Sequence, residues 1–146
     1  MLDVKEFIES QEKEVTGVTP FKVNIVSSCE KILEEGQDIS YNELTHVAQL
    51  NNSLVALDTN ISMLERYYSV IPNIETPSHY AGSQDVISFL EDRMLPPEFV
   101  TSMIFNIVKY TVRLGRKDDE SKEVEKIRIY FTRMKNFIEN GDSLHD

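Results

Sequence analysis

Apolar residues recur at steps of three and four along most of the chain, the period of an α-helix, and no stretch makes a compelling strand. Leu2, Phe7 and Ile8 mark a short first helix, and Gly17 ends that segment. Thr19-Pro20 follows, pairing a favoured N-cap with proline at the first helical position. Ile25, Val26, Cys29, Ile32 and Leu33 then keep helical spacing up to Gly36, a natural stop. The third segment is the longest. Ser40 and Glu43 form a capping box, and Leu50, Leu54, Leu57, Ile61, Leu64 and Tyr68 recur at alternating steps, with no obvious breaker before Pro72. Such a seam serves a partner helix. A bundle within the chain is the simpler reading, and a seam between copies is the other.

IPNIETPSHYAGS reads as a loop. A short helix is expected over roughly residues 84–94, with Val86, Ile87 and Leu90 as its apolar side. Leu95-Pro96-Pro97 starts the next helix and Gly115 ends it. The charged turn RKDDESKE leads to a final helix through Val124, Ile127, Tyr130, Phe131, Met134, Phe137 and Ile138, closed by Gly141, with SLHD as a tail. The pattern predicts one all-α domain, a compact bundle of about five to six helices with one long helix near residues 41–70.

Composition agrees with a packed core. The 146 residues are 40% hydrophobic and 27% charged, enough for a globular fold without metals or disulfides. The lone Cys29 allows no internal disulfide, and its place on an apolar face predicts a buried thiol. MLDVKEFIES has no secretory character, and no run approaches the roughly 20 apolar residues of a membrane span. A soluble cytoplasmic protein without a membrane partner is expected. The net charge of −10 argues against general nucleic-acid binding, because phosphates would be repelled. The charge is uneven. Residues 1–75 hold 13 acids and 5 bases, whereas residues 76–146 hold 12 acids and 10 bases.

The cations concentrate in FNIVKYTVRLGRK, residues 105–117, which contains no carboxylate. On a helix, Asn106, Lys109, Tyr110 and Arg113 share one side, while Ile104, Ile107, Val108 and Val112 serve the core. Arg116 and Lys117 extend the basic group past the helix end. One reading is structural, since cations near a helix C-terminus are favoured by a few tenths of a kcal/mol. The other is a phosphate site, with arginine forks, a lysine point charge, and hydrogen bonds from asparagine and tyrosine. Lys126 and Tyr130 lie four apart and share a face. Glu123 would orient a cation if buried, and would be a solvated charge if exposed. His79, in the loop, has the chemistry of a phosphate donor or an acid–base group near neutral pH. Its neighbour Tyr80 suits stacking on a base or anchoring the loop.

There is no G-x-x-x-x-G-K-[ST] loop and no dinucleotide glycine fingerprint, which excludes an ordinary nucleoside-monophosphate kinase fold. No cysteine–histidine cluster suggests zinc, and His46 and His145 are isolated. Glu120-x-x-Glu123 and Glu139-x-x-Asp142 resemble the magnesium-holding carboxylates of helical nucleotide pyrophosphohydrolases. That spacing arises easily in so acidic a chain, and the pattern places Glu120 in the turn and Asp142 beyond the helix.

The combined motif is more specific. TPSHY, then F-x₆-N-x-x-K-Y-x-x-R-x-G-R-K, then E-x-x-K-x-x-x-Y, resembles the phage nucleotide-kinase-like family over roughly residues 76–140. The N-terminal half has no counterpart. Pro77, Ser78, His79 and Tyr80 correspond to the family's P-x-H-Y start. Asn106, Lys109, Tyr110 and Arg113 correspond to its N-x-x-K-Y-x-x-R core, with Lys117 at a following basic position. Glu123, Lys126 and Tyr130 correspond to its D-L-x-K-A-x-x-Y segment. Phe105 stands where the family usually has glycine, Glu123 where it has aspartate, and Ile127 where it has a small residue. The resemblance implies a small helical phage protein that binds a nucleotide and phosphorylates deoxynucleoside monophosphates. It would use ATP or another phosphoryl donor, with magnesium as an optional companion. His79, Lys109 and Arg113 would then be catalytic. Two other readings stand beside it: a binding protein that sequesters a nucleotide defence signal, cyclic or not, and an interaction module directed at a host protein. A homo-oligomer through helical seams fits all three.

Overall fold

The computed structural model describes residues 3–12, 14–36, 48–71, 85–116 and 119–145, without the side chains of 36, 48, 49 and 140–145. Six helices follow one another: α1 (Val4–Gln11), α2 (Thr19–Gly36), α3 (Ala48–Tyr67), α4 (Val86–Glu91), α5 (Pro96–Arg113) and α6 (Glu120–His145). No strand occurs among the described residues. The all-α expectation holds, and so do the starts at Thr19-Pro20 and Pro96-Pro97 and the stops at Gly36 and Gly115. Helix α2 begins at Thr19-Pro20. Helix α5 begins at Pro96-Pro97, where Glu98 accepts a hydrogen bond from the Leu95 N–H at 2.8 Å. It ends before Gly115, whose φ of +84° favours a residue without a Cβ. Asp3 caps α1 by accepting from the Glu6 N–H at 2.8 Å.

Four long helices close a ring of contacts, α2 on α3, α3 on α6, α6 on α5 and α5 on α2, with α1 laid on α2 and α4 on α5. Asn24 bonds Asn60, and Glu35 bonds Ser53, so α2 and α3 run antiparallel. Phe99 packs on Phe137 and Tyr110 on Tyr130, so α5 and α6 do too. The core draws on every long helix, with Ile25 and Ile32 from α2, Ile107 from α5, and Phe131 and Met134 from α6. Leu50, Leu54, Leu57, Ile61 and Leu64 of the predicted seam are all buried inside the chain. Full burial of each such side chain is worth about 1.5–3 kcal/mol. The seam is therefore used up by α2 and α6, and an oligomer would need another surface.

Helices α6 and α4 differ from the sequence pattern in their bounds. Helix α6 does not stop at Gly141 but continues to His145, and it starts at Glu120, inside the expected turn. A glycine in a helix costs only about 1 kcal/mol relative to alanine, which does not force a stop. Asp142 accordingly lies on the helix and not after it. Helix α4 is also shorter than expected. Only Ile87 of its apolar trio is buried, while Val86 and Leu90 are exposed. Residues 41–47 of the expected long helix, with Ser40 and His46, lie outside the described residues. No helix among the described residues is long and apolar enough to cross a membrane.

Two polar clamps hold α6 in place. Arg128 meets Glu65 through two hydrogen bonds, of 2.6 and 3.1 Å, and reaches Asp58 at 2.6 Å and Ser62 at 3.2 Å on α3. Burial disfavours the Arg128 charge, but the hydrogen bonds and charges of Glu65 and Asp58 outweigh it and raise its pKa further. Arg133 bonds Asp85, the N-cap of α4, and donates to the Ser88 hydroxyl at 3.1 Å. Burial raises the Asp85 pKa, but the Ser88 amide and hydroxyl and the Arg133 guanidinium outweigh it, so the carboxyl is held below its ordinary value.

Candidate anion-binding site

Helix geometry places Ser102, Asn106, Lys109, Tyr110 and Arg113 along the edge of α5 that meets α6. Across the seam, α6 presents Lys126 and Tyr130. The rings of Tyr110 and Tyr130 stack with centroids 5.8 Å apart and planes 13° from parallel. Around the Tyr110 ring stand three cations. Lys126 Nζ is 5.0 Å from its centroid, Lys109 Nζ 5.1 Å, and the Arg113 guanidinium carbon 5.5 Å. All three fall within cation–π range.

This is a convergence of like charge with little internal compensation. Lys126 is 3.8 Å from Glu123. Among the described residues, neither Lys109 nor Arg113 has a carboxylate at ion-pair distance. Arg113 Nε is buried without a hydrogen-bond partner, as is Glu123 Oε2. Glu123 is only 8% exposed, which meets the condition under which it would orient a cation. Asn106 is partly engaged already, since its Nδ2 donates to the Ser102 carbonyl at 2.9 Å. Phe105, the bulky residue beside it, projects outward and is 68% exposed.

Of the expected site residues, the structure brings Lys109, Tyr110, Arg113, Lys126 and Tyr130 together, with Glu123 behind Lys126 and Asn106 on the same side. It separates Arg116 from them. Arg116 instead lines a cleft of about 780 Å³ at the end of the bundle, where its Nη1 is 3.4 Å from Gln11 Oε1. That cleft is bounded by Glu12, Lys22, Tyr67, Tyr68 and Glu120, mostly from the N-terminal half. The cationic face and this cleft are thus different places. In the cleft Glu12, Glu14 and Glu120 offset Lys22 and Arg116, whereas the face has little such compensation. His79, Tyr80, Pro77, Ser78 and Lys117 lie outside the described residues. No group of three or more histidines, cysteines or acids that would suit a metal ion occurs among the described residues.

Residues 74–132 match a family of unknown function, DUF3310. The DUF3310 segment contains α4, α5 and the first half of α6, and so every residue of the Tyr110 cluster. It leaves out α1, α2 and α3. The family's description carries no activity, so kinase chemistry does not come with the match. No curated protein and no solved structure matches the chain.

Sequence reasoning missed three polar contacts, each joining residues far apart in the chain. Arg128 with Glu65 and Arg133 with Asp85 are two, and Lys22 on the α5 terminus is the third. No local spacing signals such pairs.

Proposed function

We propose that the α5–α6 face binds the phosphate of a small molecule, in the first instance a nucleotide. One observation carries the reading: Lys109, Arg113 and Lys126 converge on a single tyrosine ring, and two of the three lack a carboxylate among the described residues. Like charges held together repel one another, and a bound anion relieves that repulsion. Arginine and lysine together suit phosphate oxygens, and the aromatic pair offers an apolar wall beside them.

The motif's resemblance to phage nucleotide-kinase-like proteins supports a nucleotide as the ligand and phosphoryl transfer as the activity. In that chemistry the cations would neutralise charge on the transferring group, which depends mainly on positioning and electrostatics. Lys109 and Arg113 are the phosphate contacts in this account. A second reading is binding without turnover. The burial of Glu123, which lies 3.8 Å from Lys126, favours it, since a buried oxygen is poorly placed to take a proton from a ligand.

The test is incubation of pure protein with nucleoside mono- and triphosphates and cyclic nucleotides, with and without magnesium. Free and retained small molecules are then separated, and the retained fraction is denatured. New phosphorylated products support the kinase. Ligand recovered unchanged supports sequestration. Neither binding nor conversion contradicts the site and redirects the search to protein partners.

A further inference from the structure

Lys22 belongs to α2, outside the DUF3310 segment, yet it is only 2% exposed and its side chain ends on α5. Its Nζ donates to the Leu114 carbonyl at 2.5 Å. The same ammonium is 2.8 Å from Glu12 Oε1, an ion pair whose angles fall short of a hydrogen bond. Glu12 Oε2 accepts from the Thr19 hydroxyl at 2.6 Å, and Thr19 Oγ1 accepts from the Thr16 N–H at 2.9 Å. A buried ammonium is unfavourable unless it is paired and hydrogen-bonded. Water could satisfy an exposed helix-terminal carbonyl at no such cost. The carbonyl chosen is that of Leu114, between Arg113 and Gly115, in a turn closed by the Arg116 N–H on the Arg113 carbonyl at 2.9 Å.

We propose that Lys22 is a positioning residue for the α5–α6 anion face. Through Leu114 it fixes the last turn of α5 and with it the direction of the Arg113 side chain. The N-terminal half thereby completes a site whose contacting residues all lie in the DUF3310 segment. This rests on the reading of that face as an anion site. A guanidinium held in place loses less freedom when phosphate binds than one on a fraying turn.

Lys22→Met alone strands the Glu12 carboxylate and is expected to destabilise the fold, so the decisive variant is Lys22→Met with Glu12→Gln. It removes both charges while keeping their bulk. Inorganic phosphate and a nucleoside 5′-monophosphate are titrated by calorimetry, unfolding is followed in urea, and hydrogen exchange is read at residues 114–116. Ile32→Ala serves as a control that destabilises the core away from that turn. The expected result is an unfolding midpoint recovered towards wild type, affinity still lower by about tenfold, and faster exchange at 114–116. The control should bind normally per folded molecule. If affinity returns together with stability, Lys22 is only structural and the proposal is overturned. If wild type binds neither probe, the anion-site reading falls and takes the role in binding with it. Exchange at 114–116 in the double variant, set against Ile32→Ala, then decides the anchoring alone: exchange faster than in the control upholds it, and exchange no faster overturns it.

Discussion

Tyr110 of α5 and Tyr130 of α6 stack across the helix seam, 5.8 Å between centroids, and the Tyr110 ring is the point on which three cations converge. The pair joins fold to site, because it packs α5 on α6 and orders the basic groups around it. Aromatic pairs contribute about 0.5–1.5 kcal/mol beyond their buried area. Tyr110→Phe is expected to keep both stability and ligand affinity. Tyr110→Ala should lower stability by about 3 kcal/mol, as large aromatic truncations do, and weaken phosphate binding. Urea unfolding and calorimetric titration of the two variants check this.

Arg128 makes a separate prediction about stability alone. Its guanidinium satisfies Glu65, whose side chain is almost fully buried, and Asp58. Arg128→Met leaves Glu65 without its partner, an arrangement that typically costs about 3–5 kcal/mol. Adding Glu65→Gln to Arg128→Met should recover much of the loss, since no buried charge is then stranded. Denaturant midpoints of the single and double variants report the difference, and ligand affinity per folded molecule should stay constant.

Asp85 sets an expected pH dependence. Its folded pKa lies below the ordinary value of 3.8 because the Ser88 hydrogen bonds and Arg133 outweigh burial. The unfolded chain therefore takes up this proton at higher pH than the folded chain does. The contribution of Asp85 is fully present above the ordinary value and is lost as pH falls through the folded pKa. Asp85→Asn should flatten that part of the acid-stability curve while lowering stability at neutral pH. Circular dichroism of urea unfolding between pH 2 and 6 (about the range where carboxylates titrate) tests it. An identical pH slope in the variant would show that other carboxylates carry the effect.

Cys29 is buried, and burial pushes its thiol up to about 12. The thiolate is the reactive form, so the folded protein should resist a thiol reagent at neutral pH. Labelling should appear only with unfolding, at a rate that tracks urea concentration.

How far the chain could be read from its residues differs from feature to feature. The helix ends at Thr19-Pro20, Pro96-Pro97 and Gly115 were legible because capping is local chemistry. The Leu50–Leu64 spacing told which side of α3 is buried but not which helices cover it. Gly141 misled, because a stop inferred from one glycine ignores that Phe137 and Ile138 are already packed in the core just before it. Asn106, Lys109, Tyr110 and Arg113 were legible as one helix edge. Their meeting with Lys126 and Tyr130 rested on the motif resemblance, since spacing within a helix says nothing of its neighbour. Arg116 was misplaced because the chain turns at Gly115 and carries it to the bundle end. The Lys22, Arg128 and Arg133 contacts were illegible for a related reason: their partners lie tens of residues away and leave no periodic signal.

The most direct test of the account is calorimetric titration of a nucleoside 5′-monophosphate into wild type and Arg113→Ala at low and moderate salt. The account predicts saturable binding by wild type that weakens as salt rises, as contacts between exposed charges do. It also predicts a loss of at least about tenfold in Arg113→Ala, the scale of one charge-assisted hydrogen-bond pair. Equal binding by the two proteins would contradict the assignment of the α5–α6 face as the anion site.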